Sequence, residues 1–176
     1  MVLSGANSQE VELVTNNGEL KIRMSLTNIL NGDGVSATVY YKRLDAVEAN
    51  EGSRIASNDE IKALNFDIIC KEGSEVKLTN LQADRVQVRV TQGSIVTLKG
   101  TAKNQDILSN TGGKYEGHAF KTDQTVVTVN AGGIAHVYAT DLVEEKTRLG
   151  GEIYIFGKPK QVNQKKIAGG NIEQVD

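Results

Sequence analysis

Tryptophan is absent from this chain, proline occurs once and cysteine once, and each shortage closes off a class of protein. A lone Cys70 permits no intramolecular disulfide and no zinc site built from cysteine thiolates. Flanked by apolar residues, it reads as an inert interior side chain. No apolar run approaches the ~20 residues that a membrane-crossing helix needs, and no charged-then-apolar leader opens the chain. Net charge is −2 with no block of lysine or arginine, so the electrostatic footprint of a nucleic-acid binder is missing.

What the chain does have is 18 glycines. Beside a single proline, they argue against a disordered linker and for frequent tight corners. The 176 residues suffice for one domain with a continuous core. A strand-like pattern starts almost at once in MVLSGANSQEVELV, which suggests a chain trimmed at its N terminus.

The glycines recur about every twenty residues: Gly52, Gly73, Gly93, Gly112, Gly132, Gly150 and Gly169, each followed by serine or glycine. Three residues beyond them stand Ile55, Val76, Val96, Tyr115, Ala135, Ile153 and Ile172, all apolar. Five beyond, Leu78, Leu98, Val137 and Ile155 continue the pattern, with Ser57, Gly117 and Gln174 as exceptions. Ahead of the first five glycines, Val47, Ile68, Val88, Ile107 and Val127 take one inward position, and Ala49, Cys70, Val90, Ser109 and Val129 the next.

Each unit therefore reads as a strand, a glycine corner and a second strand, with alternate side chains sent to one interior. One unit cannot bury its apolar face, whereas stacked copies cover one another. The spacing predicts an all-β, single-stranded parallel β-helix, or β-solenoid, of about seven rungs. An antiparallel sandwich or barrel would also give short strands and glycine turns, but it has no need for one residue class to return at matching offsets seven times.

Residues 1–176 are read as a single solenoid domain. Residues 1–43 form a β-rich lead-in that caps one end, and 44–176 the stacked rungs. The lead-in contains VELVTNNGELKIRM, a β-hairpin turning on Asn17–Gly18. Ser57 to Lys62, SNDEIK, is expected to make at most one helical turn. In GKPKQVNQKK, Pro159, Lys158, Lys160, Lys165 and Lys166 discourage strand addition at the far end.

A rigid solenoid acts through its outer faces. Four residues past the later glycines lie Glu116, His136, Tyr154 and Glu173; six past lie His118, Tyr138, Phe156 and Val175. His118, His136, Tyr138, Tyr154 and Phe156 thus form a candidate interaction face, since grouped exposed aromatics mark contact surfaces. The alternative is that a terminal segment or another copy covers them as ordinary packing. Glu116, His118 and His136 contain the donors of a zinc site, but their spacing is no recognised ligand pattern. The carboxylates Glu48, Asp67, Glu75, Asp84, Asp106, Asp123 and Glu152 are scattered, without the facing pair that glycoside hydrolysis needs. No nucleophile elbow is present. No catalytic residue, cofactor or metal ligand is assigned.

The rungs VTVNAGGIAHVYATDLV and TRLGGEIYIFGKPKQVNQKKIAGGNIEQ, with the lead-in VLSGANSQEVELVTNNGELKIRM, resemble the bacterial auto-transporter adhesin family called the head GIN domain. The resemblance covers nearly the whole chain. It implies a right-handed coil, a secretory or lipoprotein leader, and an exported cell-envelope protein. The glycine-isoleucine-asparagine tripeptide itself is not spelled out; Gly133-Ile134-Ala135 and Gly170-Asn171-Ile172 come nearest. The expectation is a non-catalytic surface adhesin or interaction module, with a protein or glycan ligand and a possible homo-oligomer. A self-associating structural envelope protein and a carbohydrate-active enzyme are the alternatives.

Overall fold

The computed structural model describes residues 1–25 and 34–175. They divide into two compact units, residues 1–42 and 43–176.

In the first unit, β1 (Val2–Ser4) precedes a 3-10 turn at Ser8–Glu10, then β2 (Val11–Asn16), β3 (Glu19–Met24) and β4 (Ser36–Thr38). β2 and β3 form the expected hairpin, and β1 pairs antiparallel with β4. Asn17 and Gly18 both take positive φ, 48° and 82°. That is the turn whose twist matches the flanking strands, and it is why Asn-Gly is found there.

The second unit is a β-solenoid of about seven turns built on one parallel sheet. Its strands are β5 (Ala46–Ala49), β6 (Arg54–Ser57), β7 (Ile61–Cys70), β8 (Glu75–Thr91) and β9 (Ile95–Asn110). β10 (Lys114–Asn130), β11 (Ile134–Arg148), β12 (Glu152–Phe156), β13 (Gln161–Ile167) and β14 (Asn171–Gln174) complete it. Every rung-to-rung pairing is parallel. No α-helix occurs among the described residues.

The corners follow from backbone sterics. At each of the seven, the corner glycine and the residue before it both have positive φ, as in Ala131 (46°) and Gly132 (70°). Two successive left-handed residues reverse the chain within a four-residue turn, closed for example by Gly133 N–H donating to Asn130 O at 3.1 Å. Consecutive corners also bond to one another. Gly73 N donates to Gln92 O at 3.0 Å and Gly93 N to Thr111 O at 3.2 Å. Corners must therefore stack on one another, and differences in rung length are taken up elsewhere in the turn.

The interior columns are as the spacing predicts. Ile55, Val76, Val96, Tyr115, Ala135, Ile153 and Ile172 pair in single file along the coil, and Val76 through Ile153 are fully buried. Cys70 lies between Ala49 and Val90, also buried, and burial raises its thiol pKa. The stretch Ser57–Lys62, allowed at most one helical turn, makes none: Asp59 forms a bend between β6 and β7, its N–H donating to the Ser57 hydroxyl at 3.2 Å. One expectation is corrected. His118 does not stand level with Tyr138, whose registered neighbour on β10 is Lys121. The turn from Gly132 is two residues shorter than the turn from Gly112. β10 sheds the excess as an irregularity between Glu116 and Gln124.

One interior column changes character near its end. Glu145 follows Val127, and Thr147 follows Val129, in places that aliphatic residues hold in most earlier rungs. Both are buried, and Gln164 and Lys166 succeed them on β13, a strand paired on one side only.

Candidate functional site

The five residues singled out from the sequence lie on β10, β11 and β12. Glu116, His136 and Tyr154 are registered neighbours on consecutive rungs, as are Tyr138 and Phe156. The His136 ring stacks on Tyr154 with centroids 4.9 Å apart and meets Phe156 edge-on at 6.2 Å. His118, off the ladder, still brings its ring within 5.9 Å of Phe156. Tyr138 lays its ring against Gly157, where any Cβ would collide with it. Parallel rungs hold His136 over Tyr154 and Tyr138 over Phe156, and His118 reaches Phe156 from outside these two columns, so the five rings form one strip.

Charge frames the strip on one side. His136 Nδ1 lies 2.7 Å from Glu116 Oε2, an electrostatic contact without the alignment of a true hydrogen bond. His118 Nδ1 stands 3.9 Å from the same oxygen, and Lys114 Nζ 2.7 Å from Oε1. Burial acts to raise the Glu116 pKa, but Lys114 and then His136 outweigh it and hold the carboxyl below its ordinary value. Tyr154 donates its hydroxyl to Glu152 at 3.1 Å. Among the described residues, no group of three or more His, Cys, Asp or Glu is arranged to hold a metal ion. A small depression of about 340 Å³ lies beside the strip, lined by His118, Tyr138, Phe156, Gly157, Lys158 and Val175.

A second, larger concavity was not apparent from the sequence. A groove of about 1080 Å³ crosses the rungs within the strands, between the glycine corners. Its floor is Ala63, Ala83, Ala102 and Thr122, registered neighbours on β7 to β10. One wall is the adjacent registered column Lys62, Gln82, Thr101, Lys121 and Tyr138. The other is formed by Leu64, Asp84, Lys103, Asp123 and Thr140. Tyr138 lines both concavities. The signal that could have found the groove is the small residue one place after the first wall column on three successive rungs, in KAL, QAD and TAK.

Beneath Tyr138 and Thr122 lies a buried polar network that sequence reading also missed. Gln105 Nε2 donates to the Thr125 hydroxyl at 2.8 Å, and Tyr115 donates to Gln105 Oε1 at 2.8 Å. Thr122 donates to the Tyr138 carbonyl at 2.6 Å. These bonds fix the backbone where β10 departs from regular register, and so fix the base of Tyr138.

Residues 1–159 match the family described as "Putative auto-transporter adhesin, head GIN domain". No curated protein matches the chain. Three solved structures, each of a putative adhesin, share the fold. The one from Bacteroides fragilis has a TM-score of 0.88 at 18% identity, over 95% of this chain and 77% of that one. That from Parabacteroides merdae has 0.71 at 17% identity, over 99% and 81%. The third, from Parabacteroides distasonis, has 0.74 at 18% identity, over 96% and 80%.

Proposed function

This chain belongs to the family described as "Putative auto-transporter adhesin, head GIN domain", and from that premise we propose that it is a non-catalytic interaction module of the bacterial cell envelope. It is exported, and it meets a protein or glycan ligand through the aromatic strip His118, His136, Tyr138, Tyr154 and Phe156. The observation that carries this reading is the strip itself: five rings gathered on three successive rungs of a rigid sheet. Such rings supply a large contact area at little entropic cost, because the scaffold has already ordered them.

Non-catalytic action is supported by where the acids stand. Asp84 pairs with Lys103 at 2.9 Å and Asp141 with Lys160 at 2.6 Å. Asp84 and Asp123 lie on the same wall of the groove, whereas glycoside hydrolysis needs carboxyl groups flanking the scissile bond. The test is a Tyr138→Ser, Phe156→Ser double variant screened on glycan and matrix-protein arrays, with solution mass measured in parallel. Loss of array binding at unchanged mass is the expected result. A change from oligomer to monomer, with no array binding by either protein, would favour a self-associating envelope protein instead. Indifference of both readouts would end the reading.

A further inference from the structure

The groove over Ala63, Ala83, Ala102 and Thr122 has a repeating chemistry, and that repeat selects among ligands. The floor presents small side chains at one rung spacing, ~4.8 Å, so a flat apolar surface can lie close along it. Gln82 and Thr101 on one wall both donate and accept hydrogen bonds; Asp84 and Asp123 on the other accept, and Lys103 between them donates. At one end the half-exposed ring of Tyr138 closes the trough.

The charges largely cancel within the protein. Lys103 Nζ is 2.9 Å from Asp84, Lys62 Nζ 2.9 Å from Glu60, and an Arg43 nitrogen 2.7 Å from Asp45. Asp123 is also within electrostatic reach of Lys103 and Lys160. A polyanion or polycation would find little net field here. An extended peptide is poorly served as well. The groove runs across the strands, whose backbone groups are consumed by rung-to-rung pairing, so no free sheet edge is offered for strand addition. A chain of hydroxyl-rich units with alternating polar edges and apolar faces meets every feature of the walls and floor.

We propose that this groove binds a linear, uncharged polysaccharide laid along the coil axis, with Tyr138 stacking on a sugar ring at one end. The inference rests on the adhesion reading and adds to it a second site and a ligand class. Lys62, Gln82, Thr101, Lys121 and Tyr138 span four rung intervals, ~19 Å. Affinity therefore rises with oligosaccharide length until the sugar covers that distance and then levels off.

The experiment is calorimetric titration of the full chain with linear neutral glucan, xylan, mannan and galactan oligosaccharides, from disaccharide to hexasaccharide, with a heparin hexasaccharide as the charged comparator. Length-dependent binding to a neutral series is the expected result. A Gln82→Ala, Lys121→Ala variant, altered only at exposed positions, should weaken it at least tenfold. So should Ala83→Leu, which fills the floor, provided its thermal unfolding matches the parent. Val126→Ser, at an exposed position outside both the groove and the aromatic strip, should leave it unchanged. Absence of binding across all the neutral series overturns the proposal, as does tighter binding of heparin, or full affinity in both groove variants. Release of new reducing ends during incubation would also overturn it, in favour of an enzyme. Array binding that fails with Phe156→Ser but survives the groove variants would leave the aromatic-strip reading standing and remove this one.

Discussion

Tyr115 occupies the space of the side chain that Gly117 lacks. Both point into the coil from β10, two residues apart on one face, and a Cβ at Gly117 would overlap the Tyr115 ring. The neighbouring rungs fill the same two places with Val96 and Leu98, or Ala135 and Val137. One large and one absent side chain thus replace two of middling size, and the Tyr115 hydroxyl reaches Gln105 across the interior. Because the core is close-packed, Gly117→Ala should cost about 1–3 kcal/mol by overpacking. Tyr115→Phe should cost about 1–3 kcal/mol by leaving Gln105 Oε1 without its donor. Gly117→Leu should be harmful alone and less so when combined with Tyr115→Val, a non-additivity that chemical denaturation of the four proteins would reveal.

Thr111 sits at φ 47° beside Gly112, a left-handed position that a β-branched side chain tolerates poorly. Asn17 holds the equivalent place in the lead-in hairpin. Thr111→Asn is therefore expected to stabilise by up to about 1 kcal/mol and raise the melting temperature by about 2–4 °C. A lower melting temperature would mean that Thr111 gains more from its neighbours than its backbone loses.

Glu145 is 3% exposed, and neither carboxyl oxygen has a hydrogen-bond partner among the described residues. Burial raises its pKa from 4.5 to about 7, opposed by Gln164 and Lys166 on the next rung. The folded protein prefers the protonated acid, so this group's contribution to stability is complete below its unfolded pKa. It is lost as pH rises through about 7. Glu145→Val, which restores the apolar column, should flatten the dependence between pH 5 and 8 and stabilise most at the alkaline end, by about 1–3 kcal/mol. Melting temperatures of both proteins across that range would check it. A parent whose stability rises with pH where the variant's does not would contradict the assignment.

Cys70 is fully buried between Ala49 and Val90, and its thiol pKa is raised by that burial. Only a thiolate at the surface reacts readily. Labelling of the native protein by a thiol reagent should be as slow as unfolding and should accelerate with denaturant. Rapid labelling without denaturant would show that the first rungs open.

Much of the architecture was open to a reader of the chain because its causes are local. A corner needs two residues at positive φ, glycine meets that need most cheaply, and stacking keeps the interval near twenty. Hence Gly52 to Gly169, and the single file from Ile55 to Ile172, can be found by counting. His136, Tyr138, Tyr154 and Phe156 can be placed on one side by the same count, because β11 and β12 keep regular register.

The count fails where rungs differ in length. His118 slipped out of its column because β10 must shed residues that β11 lacks. The groove floor was hidden because Ala63, Ala83 and Ala102 are unremarkable one at a time. The bond from Tyr115 to Gln105 crosses the coil between residues with no spacing rule to link them. Glycine period and apolar alternation, read along the chain, decided that this protein is a stack of parallel turns with a dry axis. Which outer side chains gather into a trough or a strip, and which interior acid is left without a partner, was decided only by tertiary register, because residues twenty apart become neighbours only when every turn between them has its true length.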